Sequence, residues 1–318
     1  MSLAFLFPGQ GSQAVGMLGA LAADTPVVRA TFDEASAVLG FDLWQLVSAG
    51  PADDLNATEN TQPAMLAAGV AVWRAWGARG GPQPDAVSGH SLGEFTALVC
   101  AGALDYAAAI ALVRRRGQLM QRAVPAGTGA MAAVLGLADA AVEAVCAEAA
   151  AGEVVEAVNY NSPNQVVIAG AAAAVARAVA LAKERGARQA VVLRVSVPAH
   201  SSLMRAAAQE FEQFLAATPI VAPHTRYVSA VDAREHVTPD DIRATLVKQL
   251  ASPVRWAQTV QALDASGLSI LLESGPGRVL TGLNKRIERP AGVYFGCLED
   301  SASIDAALQA VAGGVAHA

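Results

Sequence analysis

The sequence predicts an α/β protein: a parallel-rich core carrying a small inserted β-α-β-β-α-β unit of ferredoxin-like type. Three observations point there. An apolar run, "LAFLF", Leu3 to Phe7, is cut by Pro8 and a glycine-rich turn. A second strand candidate, "DAVSG", runs straight into a glycine-flanked serine and a helical pattern. From about Gly129 the hydrophobic period alternates between two and 3.6 over some 70 residues.

Taken in order, the first turn fits a dinucleotide fingerprint, G-x-G-x-x-G/A, through Gly9, Gly11 and Ala14. That fingerprint requires a second strand within about 30 residues. Instead "TPVVRATFDEASAVLG" spaces Val28, Phe32, Ala35 and Leu39 by three and four, which is helical. The stretches around "FDLWQLV" and "QPAMLAAGVAVWRAW" also read as helices, and the next strand comes only at Asp85 to Gly89. The fingerprint therefore lacks its context. Beyond Gly129, "AMAAVLGL" reads as strand, "ADAAVEAVCAEAA" as helix, and "EVVEAVNY" as strand. After the "NSPN" turn, "QVVIAG" is strand, Ala171 to Arg185 helix and "RQAVVLRV" strand. The strand candidates "TRYVSAV", "LSILLES" and "GVYFGCL" then alternate with helical segments. The predicted domains are residues 1–126 with 196–318, and 127–195 as the insertion.

The chain has 318 residues, 53% of them hydrophobic and 16% charged, as expected of a folded globule. A net charge of -6 and a pI near 5.4 argue against nucleic-acid binding. The longest Ala/Val-rich segment, Val166 to Ala182, holds Gly170 and Arg177 and is too short for the roughly 20 residues of a membrane span. With no basic flank before the first apolar run, no signal peptide is expected either, so a cytoplasmic protein is the expectation. Cys100, Cys146 and Cys297 have no C-x-x-C spacing, which speaks against disulfides and zinc and for small buried apolar residues.

The most informative stretch for chemistry is "VSGHSLGEF", where Gly89, Ser91 and Gly93 form G-x-S-x-G between strand and helix. Such a turn lifts a serine hydroxyl to a helix N-terminus, whose free amides can stabilise an oxyanion. Ser91 is thus a candidate nucleophile, and a serine nucleophile needs a base. Of the five histidines, His90 is expected to point away from Ser91 as a packed turn residue, and His317 sits in a terminal tail. His236 lies in the polar "DAREHVTPDD", expected to be solvated, and His224 begins a strand. His200 follows an apolar strand and Pro198, and the two serines after it suit a helix cap; it is the candidate base. In "ALVRRRGQLMQ", Arg116 lies about 60° from Val113 on the buried-type face, whereas Arg114 and Arg115 lie further round. A guanidinium there seeks a carboxylate, internal or from a substrate.

The residues also carry a family likeness. The sequence resembles bacterial malonyl-CoA:acyl carrier protein transacylases through "FPGQGSQ", "DLWQL", "TQPAML", "GHSLGE", "LVCAG", "RGQLMQ", "GTGAMAAVLGL", "NSPNQVVIAG", "VSVPAH", "KQLASPVRW" and "GPGRVLTGL". The resemblance implies an α/β-hydrolase-like core with a ferredoxin-like subdomain. It implies that Ser91 takes the malonyl group as an ester, that His200 activates it, and that the backbone carbonyl of Gln249 orients His200. It also implies that Arg116 pairs with the malonyl carboxylate, and that Gln10 and the amide of Leu92 form the oxyanion hole. The implied reaction is a ping-pong transfer from malonyl-CoA to the phosphopantetheine thiol of an acyl carrier protein in fatty acid synthesis, with no metal or bound cofactor. A monomer is expected, with Lys285 and Arg286 as candidate contacts for an acidic carrier. Ala199, where related enzymes often carry Ser or Phe, bears on acyl selectivity. The alternatives are a polyketide or malonate decarboxylase loading enzyme, a serine esterase, which lacks its HGGG-type loop here, and a dinucleotide-binding module.

Overall fold

In the computed structural model, which describes residues 2–125, 127–193, 195, 197–288 and 292–313, the strands fall into two sheets. They are β1 (Leu3–Phe7), β2 (Ala86–Gly89), β3 (Gly129–Leu135), β4 (Val155–Ser162), β5 (Gln165–Ala171), β6 (Gln189–Val192), β7 (Arg226–Ser229), β8 (Arg234–Glu235), β9 (Ile270–Glu273) and β10 (Tyr294–Cys297). The six-stranded sheet has the order β10-β9-β1-β2-β7-β8, parallel throughout except for the β7–β8 pair. The second sheet, β4-β5-β3-β6, is antiparallel.

β1 is apolar at every position because both faces of the parallel sheet are covered. Phe5 and Phe7 pack into the larger core, where Phe5 meets the edge of Trp76 at 5.5 Å, while Ala4 and Leu6 pack on the other side with Trp256, Val260 and Leu263. The β1–β2 register sets Phe7 opposite Gly89. As a result, the turn after β1 and the turn after β2 stand side by side at the carboxyl ends of the strands, where open α/β sheets bind their ligands.

In the second sheet, helices Asp139–Ala149 and Ala172–Glu184 bury Val142, Val145, Ala174, Val175 and Ala178 against Ala132, Val134, Val166 and Ile168. The opposite face holds a smaller cluster of Met131, Val158, Val167 and Ala169, with Leu193, Val195 and Ala199 packed on it. Backbone bonds from Tyr160 N–H to the Val254 carbonyl (2.9 Å) and from Val254 N–H to the Val158 carbonyl (2.8 Å) tie β4 to the segment before helix Trp256–Ala265. The element order over Gly129–Val192 is the one read from the periodicity.

Two details differ from the sequence reading. β8 is a two-residue strand with both residues exposed, so it carries no hydrophobic pattern to detect. β6 ends at Val192, short of the expected Val195: after the Leu193 N–H bonds the Met131 carbonyl (2.8 Å), Leu193 and Val195 turn to line a pocket; Arg194 lies outside the described residues.

Candidate active site

The serine turn is built by close backbone approach. A Cβ on Gly93 would sit 2.0 Å from the Phe7 carbonyl oxygen, and one on Gly89 would sit 2.0 Å from the Gly93 carbonyl carbon. Glycine at both places lets β2 cross directly into helix Gly93–Cys100. Ser91 itself takes φ 53°, a left-handed conformation that a non-glycine residue holds only under constraint from its surroundings. His200 is held the same way, at φ 67°.

These two residues, 109 positions apart, meet: Ser91 Oγ lies 2.7 Å from His200 Nε2, and His200 Nδ1 lies 2.8 Å from the Gln249 carbonyl oxygen. A carbonyl only accepts, so Nδ1 carries the proton and Nε2 presents its lone pair to the serine hydroxyl. The His200 N–H in turn donates to the Leu250 carbonyl at 3.1 Å, which fixes the loop. The serines that follow do not cap a helix: Ser201 Oγ donates back to the Pro198 carbonyl (2.7 Å), and the next helix begins at Arg205 with no side-chain cap.

Helix Tyr106–Ala123 supplies Arg116, which is 1% exposed. The neighbouring Gly117 allows the approach to the helix Thr58–Ala78, since a Cβ there would lie 2.7 Å from Glu59 Cα. Arg116 Nη1 donates to Gln62 Oε1 (2.9 Å), and Nη2 donates to Gln249 Oε1 (3.0 Å) and reaches Ser91 Oγ at 3.4 Å. Its protein partners are amide oxygens rather than the internal carboxylate that the sequence left open, and its Nε is buried without a partner. Gln249 also donates from Nε2 to the Ser91 carbonyl (2.9 Å), so one glutamine touches Ser91, His200 and Arg116. Arg114 and Arg115 point elsewhere, onto Phe41 and Phe214.

Burial lowers Arg116 to about 10, partly offset by the charge of Glu94, so the guanidinium remains a cation at neutral pH. Burial, and then the charge of Arg116, push His200 down to about 3, so the imidazole is neutral and free to accept a proton.

The cavity above Ser91, about 100 Å³, is lined by Gln10, Thr58, Leu92, Met120, Met131 and Val197 among others. The Gln10 side chain donates to Thr58 Oγ1 at 3.3 Å, and both residues line the cavity. Among the described residues neither the Gln10 nor the Leu92 backbone N–H has a hydrogen-bond partner. His90, expected to point away, instead lines the same cavity: Nε2 is 2.8 Å from Asn161 Oδ1 and the ring leans on Trp256, because the left-handed Ser91 turns the chain so that both side chains reach the mouth. His236, expected in solvent, is half-buried against Tyr227 and held by Asp232 at 3.1 Å. His224 is exposed, and His317 lies outside the described residues.

Residues 4–286 match the model of the acyl transferase domain family. The chain is 54% identical to the malonyl CoA-acyl carrier protein transacylase of Escherichia coli (strain K12) over 284 residues, 89% of this chain and 92% of that one. The chain belongs to the malonyl CoA-acyl carrier protein transacylase family. The solved transacylase of Coxiella burnetii superposes with a TM-score of 0.95 at 46% identity, covering 97% of both chains. A malonyl-transacylase solved in complex with a type II PKS acyl-carrier protein gives a TM-score of 0.95 at 50% identity, covering 97% of this chain and 99% of that one.

Within this transacylase fold the site contains residues that sequence reasoning left without a role. Gln62 sits in "TQPAML" and holds Arg116; its signal was a polar residue heading a run, Ala64 to Val72, that is buried throughout. Asn161 holds His90, and Glu94 lies wholly buried behind the serine turn. No helix among the described residues is long and apolar enough to cross a membrane.

Proposed function

We propose that this chain transfers a malonyl group from malonyl-CoA to the phosphopantetheine thiol of an acyl carrier protein, supplying fatty acid synthesis through a malonyl ester on Ser91. The observation that carries this reading is one serine hydroxyl with a neutral imidazole at 2.7 Å and a buried guanidinium at 3.4 Å: a nucleophile, a base and a partner for the carboxylate that distinguishes malonyl from acetyl.

Ser91 Oγ attacks the thioester carbonyl carbon as its proton passes to His200 Nε2. The Gln249 carbonyl steadies the resulting imidazolium through Nδ1–H, and the oxyanion is received by the Gln10 and Leu92 amides. Collapse breaks the C–S bond, and His200 returns the proton to the departing CoA thiolate. The carrier thiol then gives its proton to His200 and attacks the ester, and Ser91 leaves with that proton. Throughout, Arg116 pairs with the malonyl carboxylate by two parallel bonds, anchoring the far end of the acyl group. Each half-reaction uses only protein groups and the two thiols.

Exposed Lys285 and Arg286 support a docking face for an acidic carrier; Arg286 is steadied by Gln165 at 2.6 Å and shares a groove with Arg188. A carrier of polyketide synthesis is the second reading, favoured by the likeness to the malonyl-transacylase complexed with a type II PKS acyl-carrier protein. The test is transfer kinetics with malonyl-CoA and carriers of both kinds. Parallel double-reciprocal lines, with malonyl appearing on the carrier thiol, are expected. Intersecting lines contradict the ester intermediate, and hydrolysis without carrier acylation supports an esterase.

A further inference from the structure

Glu94 stands in the first turn of helix Gly93–Cys100, three residues after Ser91, with no exposed surface. The Tyr227 hydroxyl and Ser229 Oγ (2.8 Å) both donate to its Oε2, while Oε1 is buried without a partner. Burying a carboxylate costs far more than burying an amide of the same shape, so a charge kept here asks for a compensating neighbour. The neighbouring bonds lead to one. The Ser91 carbonyl accepts from the Glu94 N–H (3.0 Å) and from Gln249 Nε2 (2.9 Å), and the other end of that Gln249 amide holds Arg116. The guanidinium makes no ion pair among the described residues, and Glu94 is the acid whose charge bears on it.

We propose that Glu94 is a positioning residue that sets acyl selectivity: its carboxylate offsets the charge of Arg116 across Gln249 and so limits how strongly the pocket prefers an acyl group bearing its own carboxylate. The inference rests on Arg116 being the partner of the malonyl carboxylate. Burial raises the Glu94 carboxyl above its ordinary value while the donors Tyr227 and Ser229 favour its charged form, so Glu94 and, while it is bound, the acyl carboxylate share one buried cation. Partial neutralisation weakens the hold on the malonyl group enough for transfer and release. Removing the Glu94 charge leaves Arg116 less compensated and sharpens its preference for malonyl over acetyl.

The experiment compares kcat/KM for Ser91 acylation by malonyl-CoA and by acetyl-CoA in the wild type, Glu94→Gln and Tyr227→Phe. Glu94→Gln is expected to raise the malonyl-to-acetyl ratio roughly 3- to 10-fold. Tyr227→Phe removes a donor from the carboxylate, favours its protonated form and moves the ratio the same way by less. A merely structural role lowers both rates together and leaves the ratio where it was. An unchanged or lower ratio in Glu94→Gln overturns the proposal; if that variant does not fold, the ratio in Tyr227→Phe decides. A wild-type enzyme that takes no malonyl group on Ser91 overturns the reading of the pocket beneath it, a failure visible before any variant is compared.

Discussion

Arg116→Ala is expected to lower kcat/KM for malonyl-CoA about 100-fold or more, while the value for acetyl-CoA falls far less. On the proposed function the malonyl carboxylate leaves water to reach Ser91 and pairs with the guanidinium of Arg116, which is 1% exposed. Truncation leaves that anion buried and unpaired, which costs about 2–5 kcal/mol. The acetyl group brings no charge, so the same substitution removes nothing it used. It even relieves a cost, because an acetyl group that displaces water from Arg116 leaves a cation uncompensated. The change also strips a donor from Gln62 and from Gln249, and the latter disturbance reaches both substrates. The decisive quantity is therefore the ratio of the two kcat/KM values, measured alongside thermal unfolding. Parallel losses for both substrates would show Arg116 to be structural.

His200→Ala is expected to slow acylation of Ser91 roughly 10³-fold, within the range for a lost general base. Among the described residues lining the cavity, the other imidazole, His90, is engaged with Asn161. The pH profile of the wild type carries a second signature of the same residue. His200 is held down at about 3, so the base is neutral above that value and protonated below it. Free-enzyme acylation, read as kcat/KM, then shows no fall as pH drops from 7 through the ordinary histidine value of 6.5. Once a malonyl carboxylate pairs with Arg116, the repulsion that helps depress His200 weakens, so the acid limb of kcat lies above that of kcat/KM. Stability follows the same linkage. The unfolded chain takes a proton on this histidine near 6.5 and the folded one near 3, so this contribution to stability, present above 6.5, is lost as pH falls toward 3. A kcat/KM limb at 6 to 7 that Ser91 acylation shares would contradict the environment described for His200.

What the sequence disclosed follows the range of the forces involved. The serine turn was legible because its constraint is local: two glycines and a serine within five residues encode a backbone approach so close that a Cβ would sit 2.0 Å from its neighbour. Arg116 was legible because a helical period assigns faces, and its burial agrees with its angle to Val113. The pairing of Ser91 with His200 spans 109 positions and depends on the loop after β6 folding back beneath Leu250, a tertiary fact that no local pattern encodes. For that pair, position narrowed the choice among histidines and the family likeness made it. Gln62, Gln249 and Glu94 were the hardest to see as a working group, since each is a buried polar residue on a helix and acquires its meaning only from partners far along the chain. His90 was misjudged for a related reason: side-chain direction on the turn depends on the left-handed φ of Ser91, which the motif suggests but does not orient.

The most direct measurement is intact-mass and peptide spectrometry of the protein after brief exposure to malonyl-CoA. One malonyl group is predicted on the peptide containing Ser91, absent in Ser91→Ala and discharged by an acyl carrier protein thiol. No adduct, or an adduct that persists in Ser91→Ala, would contradict the account.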